Sequence, residues 1–255
     1  MNAANFDSGN AEAGKVLTAD GAGGAAFEAV VGGDDDWLID ALGGGRHTPT
    51  STATGGNAFA AGTNNEASGS NTTVGGGSLN TASGSGTTVG GGNSNTASGQ
   101  RAVVGGGSLN TASSDYATVG GGNNNTASGD YATVGGGNSN TASGNRATVG
   151  GGYNNTASGY RATVGGGYNN TASDRGTIGG GISNIADGEN SAILGGTTND
   201  TNELANAMIV GSNITASLAN ALHCNKLVVT QIPVASAGLP SGTVWSDGGT
   251  LKIIP

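Results

Sequence analysis

A unit of fifteen residues recurs through the middle of the chain with almost no drift: ATVGGGNNNTASGDY at 117–131, ATVGGGNSNTASGNR at 132–146 and ATVGGGYNNTASGYR at 147–161. So short a period excludes most folds at once. A helical pair does not fit in it, and its Gly, Asn, Thr and Ser content opposes helix. Two short strands joined by two turns do fit. In Ala-Thr-Val the alternation puts Ala and Val on one face and Thr on the other, as a strand requires. GGG and ASG supply backbone able to take positive φ at the corners, with Asn beside them as the next most tolerant residue. Stacked units of this kind make an all-β, parallel β-solenoid with coils about 4.8 Å apart. Identical residues then lie over one another as ladders of Asn, Thr and Ser.

The branched residue before the glycines marks the register, since Val74, Val89, Val104, Val119, Val134, Val149 and Val164 fall fifteen apart. Phe59 extends the series backwards, and forwards it slips to Ile178, Leu194 and Val210. Asn80, Asn95, Asn110, Asn125, Asn140, Asn155 and Asn170 keep the same period, as do the Ala-Ser pairs from Ala67-Ser68 to Ala172-Ser173. Decay towards the ends is usual in a stacked array. The expected division is a segment 1–56, a solenoid of about nine or ten coils over 57–215, and a segment 216–255.

Composition turns this repeat into an argument about assembly. With 53 glycines and 4% aromatics there is little to bury. One Val and about two Ala per coil return less than the conformational entropy of fifteen ordered residues. Backbone ladders close part of that gap. Coils from several chains packed around a shared axis, most simply a homotrimer, would close the rest. A flexible linker has no need of a strict register of β-branched residues, which argues against disorder.

The formal net charge is −9, and residues 1–56 are its most acidic part: Asp7, Glu12, Asp20, Glu28, Asp34, Asp35, Asp36 and Asp40 face only Lys15 and Arg46. Nucleic acid is therefore not an expected partner, because phosphate neutralisation needs clustered Lys and Arg. The run Asp34-Asp35-Asp36 reads as a solvated loop. MNAANFDSGN lacks the basic start and apolar run of an export signal. No stretch approaches eighteen apolar residues, so no membrane insertion is expected. Cys224 is alone, which excludes an intrachain disulfide.

Forms such as NSAILGG at 190–196 and SGNRATVGGGYNNTASG at 143–159 resemble the head repeats of YadA-type trimeric autotransporter adhesins. The resemblance covers the repeats and implies a left-handed parallel β-roll, built by three chains, that adheres to host surfaces. Two departures stand against membership. The usual unit is nearer fourteen residues, which places an extra turn residue within GGG. A secretion signal, a heptad stalk and a membrane barrel are also missing. The flanks resemble a different group: GKVLTADGAGGAAFEAV at 14–30 and LHCNKLVVTQIPVASAGLPSGTVWSDGGTLKII at 222–254 are similar to end segments of bacteriophage tail-fibre and other virion proteins. Read physically, Lys15–Thr18 and Ala26–Val30 are strand-like runs around a glycine-rich turn. Thr243–Trp245 and Thr250–Ile254 flank Ser-Asp-Gly-Gly as a hairpin. A fibre assembled in the host cytoplasm and released at lysis needs no export signal.

Little in the chain suggests chemistry. His47 and His223 are the only histidines, and His223 beside Cys224 supplies at most half a zinc site. GGG recurs in every coil as a corner and is no phosphate loop; Gly9 to Gly14-Lys15 fails at Val16, where a hydroxyl is needed. Calcium-binding repeats need an Asp in register after the glycines, where Ser, Asn and Tyr stand instead. No cofactor is expected. Asp115 and Asp130, one period apart, would stack near the carboxyl separation of a retaining glycosidase. Their column continues with Ser85, Gln100, Asn145 and Tyr160, the behaviour of a free solvent position.

The aromatic residues are the better lead. Tyr116 and Tyr131 follow those aspartates in sequence, while Tyr153, Tyr160 and Tyr168 lie nearer the C-terminal end. Arg101, Arg146 and Arg161 share the column of Tyr116 and Tyr131, which predicts cation–π stacking of Arg101 on Tyr116 and of Arg146 on Tyr131. Rings beside Asp, Asn and Arg suit sugars, so Tyr116, Tyr131, Arg146, Tyr153, Tyr160, Arg161 and Tyr168 are the candidate contacts for a host glycan or protein receptor. The plainer account is that Tyr suits any strand surface and Arg solubilises it. The sequence thus points to a non-enzymatic, homotrimeric virion fibre or spike, joined to other virion proteins through its N-terminal segment and mediating host attachment. The competing expectations are a purely structural head-decoration fibre or tail spacer, and a bacterial surface adhesin.

Overall fold

The computed structural model describes residues 50–226 continuously and, outside them, the backbone of six short strands: Lys15–Ala19, Ala25–Ala29, Leu38–Ile39, Arg46–His47, Val244–Asp247 and Thr250–Ile253. It is all-β, a parallel solenoid of about 12 turns whose coils are about 15 residues long. Each repeat contributes two two-residue strands. Thr-Val pairs such as Thr118–Val119 stack into a 14-stranded valine sheet, and Thr-Ala pairs such as Thr126–Ala127 into a 10-stranded alanine sheet. Single bridges from Thr63 to Thr197 form a third ladder at the corner after the glycines.

The parallel pairing of the valine sheet runs from Arg46–His47 to Leu222–Cys224, beyond both limits of 57–215. Both expected flanking hairpins are present as antiparallel pairs, Lys15–Ala19 with Ala25–Ala29 and Val244–Asp247 with Thr250–Ile253. The aspartate run 34–36 lies outside the described residues.

The strand alternation follows the expected pattern, with Ala117 and Val119 fully buried and Thr118 half-exposed between them. Ala127 closes the core from the other sheet. The fourth inward position is polar, and it is the least ordinary part of the core. Asn65, Asn80, Asn95, Asn110, Asn125, Asn140, Asn155, Asn170, Asn184 and Asn199 are all buried. Each satisfies its neighbours as well as itself. The Asn125 backbone N–H donates to Asn110 Oδ1 at 3.0 Å, and its Nδ2 donates to the carbonyls of Gly121 and Gly137, both at 2.9 Å. Ser51 Oγ accepts from Asn65 N–H at one end of the ladder, and Asn199 Oδ1 accepts from Ile214 N–H at the other. Among the described residues, no buried side-chain nitrogen or oxygen lacks a partner.

The register departs from the sequence expectation at both ends. Val74 pairs with Ala60, and Phe59 faces outward opposite Thr73. Ile178 pairs with Ile193, and Ile193 with Ile209. Leu194 and Val210 are exposed at 63% and 40%, so they lie on the outside. Residue size misleads here. The larger residue of each pair is not the core marker there, because the terminal coils gain or lose a residue at their corners, which moves the inward position to its neighbour.

Candidate functional site

At the Ser-Gly corner each coil displays two residues, and the second adopts a left-handed backbone conformation. That column runs Asn71, Gly86, Arg101, Tyr116, Tyr131, Arg146, Arg161, Arg175, Asn190, with φ between 55° and 70°. Asn and Gly take this conformation at little cost, whereas other residues lose roughly 1–2 kcal/mol each. Six consecutive coils carry Arg or Tyr there. Their side chains interact along the stack in a way that offsets the cost. Arg101 lies over Tyr116 at 5.4 Å, and Tyr116 stacks on Tyr131 at 4.7 Å with 2° between the planes. Arg146 lies over Tyr131 at 5.7 Å. Arg101 Nη1 also donates to the Tyr116 hydroxyl.

Tyr160 belongs to the neighbouring column, that of Asp115 and Asp130, yet it joins the same line. Its hydroxyl accepts from Arg146 Nη1 at 3.3 Å, and Arg161 and Arg175 lie 4.8 and 5.7 Å from its ring centre. Arg175 in turn pairs with Glu189 at 2.6 Å. The result is one ridge from Arg101 to Glu189, crossing seven coils and roughly 29 Å at the strand spacing. Both expected cation–π contacts are present within it.

Tyr153 and Tyr168 stand elsewhere, on the single-bridge ladder after the glycines, stacked on each other at 5.3 Å. The three C-terminal tyrosines therefore divide between two corners. Tyr131, Tyr153, Tyr160 and Tyr168 are 40–52% exposed, but their stacking partners occupy ring faces. What the ridge offers a ligand is ring edges, phenol hydroxyls and guanidinium N–H groups.

Arg175, Glu189 and Asp174 were not picked out by column counting. They meet because the coil after Val164 is one residue short, and that shortening was visible as the fourteen-residue step to Ile178. The deletion falls at this corner, where Ser173-Asp174-Arg175-Gly176 turns tightly and Gly176 N–H donates to the Ser173 carbonyl. Beside it lies a cleft of about 360 Å³ lined by Tyr160, Asp174, Arg175 and Glu189.

The other residues considered for chemistry stand apart from it. Asp115 and Asp130 are exposed, and Asp115 Oδ1 accepts from the Gln100 backbone N–H at 2.9 Å. His223 and Cys224 lie on the last rung of the valine sheet, with His223 Nε2 3.0 Å from the Leu218 carbonyl oxygen. Among the described residues, no three His, Cys, Asp or Glu side chains are placed to hold a metal ion, and no helix is long and apolar enough to cross a membrane.

Fold and surface together define a parallel β-solenoid bearing an arginine–tyrosine ridge along one corner. No protein-family model and no curated protein matches the chain.

Proposed function

We propose that this chain is a non-enzymatic virion fibre or spike that works as a homotrimer and mediates host attachment. The observation that carries the reading is the ridge: a rigid, in-register row of exposed Arg and Tyr side chains repeated from Arg101 to Arg175. Repeated weak contacts on several copies multiply into avidity, worth factors of about 10²–10⁴. Identical coils supply repeated contacts without a deep pocket in each.

The two sheets differ in a way that supports self-association. The outward column of the valine sheet begins with Arg46, in register with Phe59, and then runs Phe59, Thr73, Thr88, Val103, Thr118, Thr133, Thr148, Thr163, Thr177, Ala192, Met208, Leu222 without a further charge. Met208 and Leu222 are 44% and 52% exposed, with Leu194 and Val210 also exposed nearby. The outward column of the alanine sheet is interrupted by Glu66 and Asp200. A long uncharged stretch with an apolar C-terminal end suits burial against copies of itself, since interface cores are depleted in charged residues.

The second reading, a structural decoration fibre or spacer, is favoured by the covered tyrosine faces, because the stacking accounts for the ridge without a receptor. Electron micrographs of whole particles labelled at this protein separate the two. Label at the tail tip or baseplate agrees with attachment, label on the capsid lattice means decoration, and no label on any particle overturns the virion assignment.

A further inference from the structure

We infer that the C-terminal hairpin, Val244–Asp247 with Thr250–Ile253, docks on the last rung of the valine sheet and closes that end of the solenoid. The inference concerns how the array is terminated and does not rest on the attachment reading. A stack of like coils has no internal reason to stop, and an open end is an edge to which another chain can add.

The two ends differ. At the N-terminal end the valine sheet finishes with Leu38–Ile39, which runs antiparallel to Arg46–His47 and so breaks the parallel series. At the C-terminal end it finishes with Leu222–Cys224, parallel to Met208–Val210 like the rungs before it. In each coil the outward positions donate to the coil that follows: Thr118 N–H to the Ala132 carbonyl, Gly120 N–H to that of Val134, and Met208 N–H to that of Ala221, all at 2.9 Å. Leu222 and Cys224 hold these positions on the last rung. Their N–H groups therefore point past it, at an edge that takes a further strand. Leu218 and Leu222 are exposed beside that edge. One corner of the same end is already closed by mimicry. Asn225 Oδ1 accepts from the Ser212 N–H at 2.7 Å, and its Nδ2 donates to the Ser212 carbonyl at 3.1 Å, as a following coil would.

The hairpin is the occupant that the chain itself provides. A two-stranded hairpin alone in water is marginal, so it needs a surface to pack on. Its register sets Val244, Leu251 and Ile253 on one face and Trp245, Asp247, Thr250 and Lys252 on the other. The first of these faces suits the end of an apolar core. Asp247 and Lys252 are the only charged side chains in 227–255, which matches an uncharged last rung. Residues 227–243 are enough chain to span up to about 55 Å, so the hairpin can reach back to Leu222. The repeat does not continue into them: fifteen residues past Leu222–Cys224 stand Ala237-Gly238-Leu239, with no branched residue at the inward position and Pro240 next. What the sequence supplies for the edge is a strand laid upon it rather than another coil.

The test is hydrogen exchange of the full-length protein read by mass spectrometry. The amides of Leu222 and Cys224 are expected to exchange at least about 100-fold more slowly than in an unstructured chain. The double variant Leu251→Lys with Ile253→Lys should lose that protection, and Thr250→Lys, on the other face, should keep it. Because the double variant can also unfold the hairpin, Leu218→Lys tests the contact from the solenoid side and should speed exchange across 244–253. Protection across 117–161 in every variant shows that the coils are intact. Exchange of Leu222 and Cys224 at the unstructured rate in the unaltered protein, or unchanged exchange across 244–253 in Leu218→Lys, overturns the proposal. So does protection that persists in the double variant; if it also fades on dilution, the edge belongs to a second copy of the chain.

Discussion

Within each glycine triplet the three positions are not equivalent. At the third, Gly122 has φ 92°, and an added Cβ would lie 2.1 Å from the Gly137 carbonyl oxygen of the next coil. The middle residue, Gly121, has open space, with its nearest atom at 3.8 Å. Gly122→Ala is therefore expected to cost about 2–4 kcal/mol and Gly121→Ala less than about 0.5 kcal/mol, read from denaturant unfolding of the two variants. Equal effects would mean that the coils do not stack in this register. The asparagine ladder makes a second prediction. Asn125→Ala strands the Gly121 carbonyl and the Asn140 N–H and leaves the Gly137 carbonyl with the Asn123 N–H alone, so a loss of about 2–4 kcal/mol is expected in the same assay. Asn125→Asp keeps the acceptor but loses the donors and buries a charge, and should be at least as damaging.

At the scale of the coil, the repeat was legible because stacking makes every position see a copy of itself. Period, strand alternation, corner glycines and the two cation–π contacts all follow from that identity. The same logic fails where identity lapses. Phe59, Leu194 and Val210 lie outside the core because a corner that gains or loses one residue shifts the inward position, and sequence does not say which corner absorbs the change. Tyr160 keeps its place in the aspartate column, but its long side chain reaches across to the next one, where Arg146 and Arg161 meet it. The Arg175–Glu189 pair depends on the same short corner and had no columnar signal. If coils are interchangeable, excising 132–146 should join Thr118 directly beneath Thr148 in an unbroken valine sheet. The shortened chain is expected to unfold cooperatively, with nearest-neighbour stability almost unchanged. Loss of the β-sheet signal on excision would show that the coils are not independent modules.

At the scale of the molecule, the two outward faces carry the argument. Thr133→Glu with Thr148→Glu puts charge on the uncharged Phe59–Leu222 stretch of the valine sheet, whereas Thr126→Glu with Thr141→Glu puts the same charge on the alanine sheet at the same height. Only the first pair is expected to prevent formation of the proposed trimer, because an uncompensated charge in an interface core costs far more than one on a wet surface. Equal behaviour of the two pairs would leave the choice of face without support. The proposed attachment by avidity presupposes that several chains share one axis. The most direct test is the mass of the full-length protein by sedimentation equilibrium over a wide concentration range. The expected result is a single species at three times the 24.1 kDa chain mass; a folded species that stays at the mass of one chain throughout would contradict it.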